Sequence, residues 1–309
     1  MADREAVKAL VRGAYDMHVH SGPDVLPRRF DDVALAEHAL EVGLKGFVLK
    51  SHYVGTADRA SLLRRVYPGL EAHGGLVLNN SVGGLNPLAV DIAGRLGTRV
   101  VWLPTVDAAN ELSNIAGQQD ESKLPYWMTV ARELRDRGIA GEGLRVTDDD
   151  GAVTGPAMQC LELIAHYDMV LATGHVSPAE MLAVVRAARE VKVQRIVVTH
   201  PEFPSTFLSL DQQRELARYG VFFERCFTQP YTKKVEWETV YDNIRRIGPG
   251  TTILSTDLGQ STAPWVGEGL GIFYGNLLDA GFTQAQVETM AHHNPAQALL
   301  LHAGPQTSA

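Results

Sequence analysis

An α/β fold, eight parallel strands closed into a (β/α)8 TIM barrel, is what this 309-residue sequence predicts. Short apolar, β-branched runs alternate with amphipathic helical stretches, the pattern of repeated strand and helix units around a parallel sheet. Eight such runs occur, near residues 14–20, 44–50, 75–81, 99–105, 168–175, 195–200, 221–227 and 252–257; eight strands close a barrel. Several runs end on histidine, lysine or aspartate, at the barrel end where such folds carry their chemistry.

Local chemistry justifies the units in turn. In Tyr15-Asp16-Met17-His18-Val19-His20, period-two alternation puts His18 and His20 on one face and Met17 and Val19 on the other. A helical stretch at 33–40 follows. Another at 179–186 follows the fifth run, starting cleanly with Ser177 as N-cap and Pro178 in the first turn. The connection between the fourth and fifth runs is far longer than the others. Residues 106–163 read as an insertion over the active-site face: a polar stretch at 110–123, a helix at 126–137, and a hairpin with arms 144–147 and 152–153. Insertions there often serve as lids or specificity elements. The hairpin turns at Asp148-Asp149-Asp150-Gly151, which lacks the distal glutamate of a calcium loop. The whole chain, 1–309, reads as one barrel domain.

A chain 45% hydrophobic and 21% charged can bury one large core. The formal net charge of −8 and the absence of a Lys/Arg cluster argue against nucleic acid or an anionic membrane and favour a small-molecule partner. No apolar signal core or bilayer-length apolar run is present, so a cytoplasmic location is expected. Cys160 and Cys226 form no Cys-x-x-Cys pair and read as small buried apolar residues. His38, His73, His166, His292, His293 and His302 fall on helical stretches or their ends and read as surface or structural groups.

Six run-end positions carry the candidate chemistry: His18, His20, Lys50, His175, His200 and Asp257. Neutral imidazole and carboxylate suit zinc and similar divalent ions, and catalytic sites keep a coordination position for water. Any one of these residues alone would read as a polar strand cap; the histidines and aspartate arriving together at strand ends point to metal. His52 shares a face with Lys50 if the second strand continues, either acting on substrate or bonding to backbone as a loop histidine. Arg28 and Arg29 either clamp a substrate carboxylate or face solvent. Asn80, Arg225 and Gln260, with Asn79 and Glu224, lie near strand ends as further substrate contacts.

In this ordered set the chain resembles the amidohydrolase superfamily of metal-dependent barrel enzymes: His-x-His on the first strand, single histidines ending the fifth and sixth, and aspartate ending the eighth. The resemblance covers nearly the whole chain and extends to His293-Asn294-Pro295-Ala296, similar to an Asn-Pro-Ala element of many members. It departs at the bridging ligand. Many binuclear members carry a carboxylated lysine ending the fourth strand, where this chain reads Val100-Val101-Trp102-Leu103-Pro104-Thr105. Lys50 ends the second strand instead, where some relatives place a bridging cysteine. The resemblance implies two divalent ions, zinc or else manganese or iron, held by His18, His20, His175, His200 and Asp257. Lys50 would bridge them as a carbamate formed with carbon dioxide. As an ammonium it would repel the ions; as a neutral amine it could bind substrate or stand beside one metal.

The implied reaction is hydrolysis of an amide, cyclic amide, ester or lactone bond of a small molecule by an activated water. Asp257 would take the water's proton and return it to the leaving group, with His52 a second catalytic group. A mononuclear decarboxylase or hydratase acting on an unsaturated carboxylic acid, as some relatives are, is the alternative. A non-catalytic metal-binding protein is a third reading, disfavoured because structural zinc sites are closed by four nearby protein ligands. A homo-oligomer is left open.

Overall fold

The computed structural model describes residues 2–116 and 127–299. Residues 117–123 of the polar stretch, Tyr126 at the start of the expected helix, and His302 lie outside the described residues. Eight strands run in chain order: β1 (Tyr15–Val19), β2 (Gly46–Leu49), β3 (Glu71–Val77), β4 (Val100–Trp102), β5 (Val170–Ala172), β6 (Arg195–Thr199), β7 (Phe222–Cys226) and β8 (Thr252–Ser255). Each pairs with the next in parallel. The ring closes just past the last strand: Asp257 N donates to His18 O at 2.8 Å and His20 N to Leu258 O at 2.7 Å. The fold is a (β/α)8 barrel, and barrel closure is made by the backbone of the candidate ligands themselves.

Tyr15, Met17, Val48, Trp102, Val170 and Ile253 belong to one buried cluster drawn from strands all round the ring, together with Leu299 from the C-terminal helix Asn294–Leu299. Leu35, Phe47, Leu49, Leu254 and Phe273 form another buried cluster between strands and helices. One departure from strict alternation matters. Met17 joins the first cluster and Val19 the second, because the β1–β2 register shifts between Asp16 and Val19. Such an irregularity re-aims side chains near a strand end, and here it brings His18 and His20 over the packed barrel centre.

The third strand begins four residues earlier than the expected run at 75–81, so His73 lies on a strand rather than on a helix. Gly74 and Gly75 are needed for close approach. A Cβ on Gly74 would lie 2.3 Å from Ala57 Cα, and one on Gly75 2.3 Å from the Trp102 ring. Helix Asp32–Val42 is capped by Asp31, which accepts from Ala34 N at 2.8 Å. Helix Pro178–Glu190 starts with a capping box between Ser177 and Glu180. Glu180 also accepts from Val146 N at 3.0 Å, tying the inserted hairpin to that helix. The hairpin itself is present, with Thr147 paired to Val153 and Asp148 accepting from the Asp150 and Ala152 amides. No helix among the described residues is long and apolar enough to cross a membrane.

Candidate metal centre

His18 is buried at the end of β1, held from both sides. Its Nδ1 lies 3.1 Å from Glu224 Oε2, while Ser255 Oγ donates to Glu224 Oε1 at 2.9 Å. A carboxylate on Nδ1 fixes the tautomer that leaves Nε2 with its lone pair free. That Nε2 lies 3.2 Å from Asp257 Oδ1, and His20 Nε2 lies 3.2 Å from the same oxygen. Ligand atoms of His18, His20 and Asp257 all fall within 4.8 Å of one another. Lys50 Nζ stands 2.9 Å from His18 Nε2 and 5.4 Å from the Trp102 ring centroid.

His175 and His200 pack ring to ring at 4.9 Å, and the His200 ring lies 6.0 Å from that of His18. Backbone geometry places them at some cost. His200 (φ 27°) and Asp257 (φ 56°) both sit in the left-handed region, which non-glycine residues rarely adopt and which clusters at functional sites. Gly174, at φ 60°, must be glycine, since its Cβ would lie 2.4 Å from Leu103 O. Burial holds His20, His52 and His200 well below the usual imidazole range, with nearby cations adding to the effect at His20 and His52. All three are therefore neutral, as His20 and His200 must be to ligate a metal. Burial alone would raise the Asp257 carboxyl; His18, His20 and Lys50 outweigh it and hold the group well below the carboxylate range. Burial lowers Lys50, against Asp257 and Glu224.

His175 Nδ1 is buried and makes no well-aligned hydrogen bond, although Glu111 Oε2 lies 3.2 Å away. With two imidazoles and a carboxylate converging beside it, this donor set fits a divalent cation. The cluster opens onto a cavity of about 800 Å³, lined in part by His52, Arg28 and Gln260. His52 Nδ1 lies 2.9 Å from Thr105 Oγ1, in a network where Asn79 donates to Thr105 Oγ1 and to His52 O. Arg28 is held by Asp24 at 2.7 Å and reaches 3.4 Å from His20 Nδ1. Gln260 Nε2 donates to Asp257 O at 2.9 Å.

The other expected substrate contacts lie elsewhere. Arg29 is exposed and absent from the cavity lining. Asn80 leaves β3 in a 3-10 turn and donates to Glu142 O, so its neighbour Asn79 supports the site instead. Arg225 is fully buried, ion-paired to Glu202 and bonded to Gln213, because β7 turns it away from the cavity. Sequence reasoning missed Glu111, buried on helix Ala109–Ala116 with Oε2 3.2 Å from His175 Nδ1. It accepts from Ser205 Oγ, and its neighbour Asn110 donates to His175 O and Ser205 O. Cys226, read as a small apolar residue, lies with Glu224 in a second ligand-like group around His18, its Sγ 3.8 Å from Nδ1. Period-two spacing on β7 could have joined Cys226 to Glu224.

A family model described as a family of unknown function, DUF6282, matches residues 13–224. The chain belongs to this family. No curated protein matches this chain. Among solved structures, an amidohydrolase from Pseudomonas aeruginosa is similar at TM-score 0.66 and 12% identity, over 96% of this chain and 98% of that one. The metallopeptidase dipeptidase AC is similar at TM-score 0.58 and 11% identity, over 94% and 98%. A 2,6-dihydroxybenzoate decarboxylase from Rhizobium reaches TM-score 0.50 at 11% identity, over 93% and 98%. At these identities the likeness is one of fold, which hydrolases and a decarboxylase share.

Proposed function

We propose that this protein is a metal-dependent hydrolase that cleaves an amide, cyclic amide, ester or lactone bond of a small molecule with an activated water. The observation that carries the reading is the convergence of His18, His20 and Asp257 within 4.8 Å beside the His175–His200 pair. His18, His20 and Asp257 would hold one divalent ion, zinc suiting two imidazoles and a carboxylate. His175 and His200 would hold a second. When bound, the metal supplies Lewis acidity that polarises a substrate carbonyl and lowers the pKa of a water.

The chain's own groups then do the rest. Asp257, held ionised, accepts the water's proton and delivers it to the leaving nitrogen or oxygen. Glu224 keeps His18 in the tautomer that presents Nε2. His52, neutral and anchored through Nδ1 on Thr105, faces the cavity and can orient substrate. As a free amine, Lys50 competes for His18 Nε2 at 2.9 Å. Addition of carbon dioxide to the neutral amine, with loss of one proton, gives an N-carboxylate that removes this competition and offers two oxygens.

Elemental analysis after metal-replete expression tests the reading, alongside a panel of amides, esters and lactones. Two ions per chain are expected, falling to one in His175→Ala, with hydrolysis lost on chelation. One observation favours a mononuclear lyase instead: among described residues both ligand groups of three share His18, and neither includes His175 or His200. One ion per chain, unchanged in His175→Ala, with carbon dioxide released from unsaturated acids, would select that reading.

A further inference from the structure

Lys234 follows the short helix Thr228–Tyr231 at the cavity edge. The chain doubles back there: Lys233 takes a left-handed φ of 59°, and Lys234 N donates to Gln229 O at 3.0 Å. The turn carries the Lys234 ammonium over the face of Phe203, 5.2 Å from the ring centroid. Phe203 in turn packs edge-on to His200 at 5.1 Å and lies 5.9 Å from His175. A single aromatic ring therefore separates this cation from the two histidines.

Of the cavity's other charged groups, Lys50 stands 2.9 Å from His18 Nε2 and Lys233 is an exposed lysine on the same turn, while three more carry internal bonds. Arg28 is held by Asp24 at 2.7 Å, Glu111 by Ser205, and Asp257 by Thr228 and Gln229. Lys234 makes no ion pair with a described residue; its recorded contact is the Phe203 face. Lys234 is exposed as a residue, with its ammonium set over an aromatic face, and a cation so placed remains free to receive an incoming anion. Trp127, Ile115 and Phe203 also line the cavity, giving it apolar surface that suits a short carbon chain.

We propose that Lys234 is a specificity-determining residue that receives a carboxylate of the substrate, so that the substrate is a small carboxylate-bearing amide or ester. The bond-cleaving part of this assignment rests on the hydrolase reading above; the anion site does not. Two measurements separate them. In calorimetric titration of the metal-loaded protein with glutarate, Lys234→Met should weaken binding about 10-fold to 100-fold, as expected for loss of a charge-assisted contact, and Lys234→Arg should restore most of it. Absence of glutarate binding to the parent, or equal binding by Lys234→Met, overturns the proposal. In kinetics with N-acetyl amino acids and their carboxamides, the acid-over-carboxamide ratio of kcat/KM should fall about tenfold or more in Lys234→Met and be kept in Lys234→Arg. A parallel loss on both, leaving the ratio unchanged, would mean that Lys234 acts through structure alone and would sink the proposal. If the parent cleaves neither, the hydrolase reading fails, and the titration still decides the anion site.

Discussion

Replacing Asp257 by asparagine separates its two roles, and the surrounding hydrogen bonds say how cleanly. Oδ1 faces His18 and His20 Nε2, each at 3.2 Å. Oδ2 accepts from Thr228 Oγ1 at 3.0 Å and from Gln229 Nε2 at 3.2 Å. An asparagine placing its amide nitrogen at the Oδ2 position would meet the Gln229 donor head-on. Gln229 Oε1, however, is buried and unpartnered, so a flip of that amide satisfies the new N–H while the Thr228 hydroxyl rotates to accept. The remaining carbonyl oxygen then keeps the ligand position toward the histidines. Fold and metal loading should survive, while the proton acceptor and its charge are gone. Positioned acid/base groups contribute about 100-fold to 10,000-fold in rate, roughly 3 to 5 kcal/mol of barrier at 1.4 kcal/mol per tenfold. Turnover should fall by that factor, measured by steady-state kinetics beside elemental analysis of the same preparation. A fully metal-loaded Asp257→Asn enzyme within about threefold of parental turnover, far short of that range, would refute the role, with His52 the next group to test.

Three further outcomes are expected. Protein prepared in carbon-13 bicarbonate should show a carbamate carbon resonance that is lost in Lys50→Met; metal-loaded protein without it would exclude the bridging lysine. Burial, then Arg99 and Arg64, push the His73 imidazole from 6.5 down to about 4, so the unfolded chain binds a proton that the folded one refuses. Stability should therefore be full above pH 6.5 and decline as pH falls toward 4, by about 3 kcal/mol at the lower end. Urea unfolding of His73→Gln should lack that part of the dependence, and an identical dependence in both proteins would contradict it. Gly259 sits at φ 131°, with an added Cβ 1.8 Å from His20 O; Gly259→Ala should cost about 3 kcal/mol or more, and near-parental denaturant stability would show that the loop relaxes freely.

The barrel was legible because a parallel strand buried on both faces writes a continuous apolar run, and each candidate ligand stands in the last residues of such a run or within three residues of its end. His175, His200 and Asp257 could be placed with no knowledge of the loops between them. The third strand was placed four residues late, from Gly75, because the glycine pair offers no apolar side chain to mark it, whereas in β3 it admits the Ala57 backbone and the Trp102 ring. Asn80 and Arg225 were misplaced for a related reason: near a strand end, one residue of offset decides between the cavity and the outer face. Glu111 and Lys234 were hidden more deeply. They belong to loops and a short helix whose path over the cavity depends on tertiary contacts such as Asn110 with His175 O and Ser205 O, which leave no periodic trace.

The two halves of the centre differ in what holds them, with a consequence for metal affinity. His18, His20 and Asp257 are fixed by the hydrogen bonds that close the barrel between β1 and β8, so their geometry is as stable as the sheet. His175 and His200 are steadied from outside it. Glu111 and Asn110 reach His175 from helix Ala109–Ala116, Ser205 joins those two, and Thr206 donates to His200 O at 2.9 Å. Elements outside the barrel sheet open at lower free energy than its strands. An ion held by His175 and His200 should therefore be the first to leave on mild chelation, while the ion at His18, His20 and Asp257 is released only when the barrel seam itself loosens.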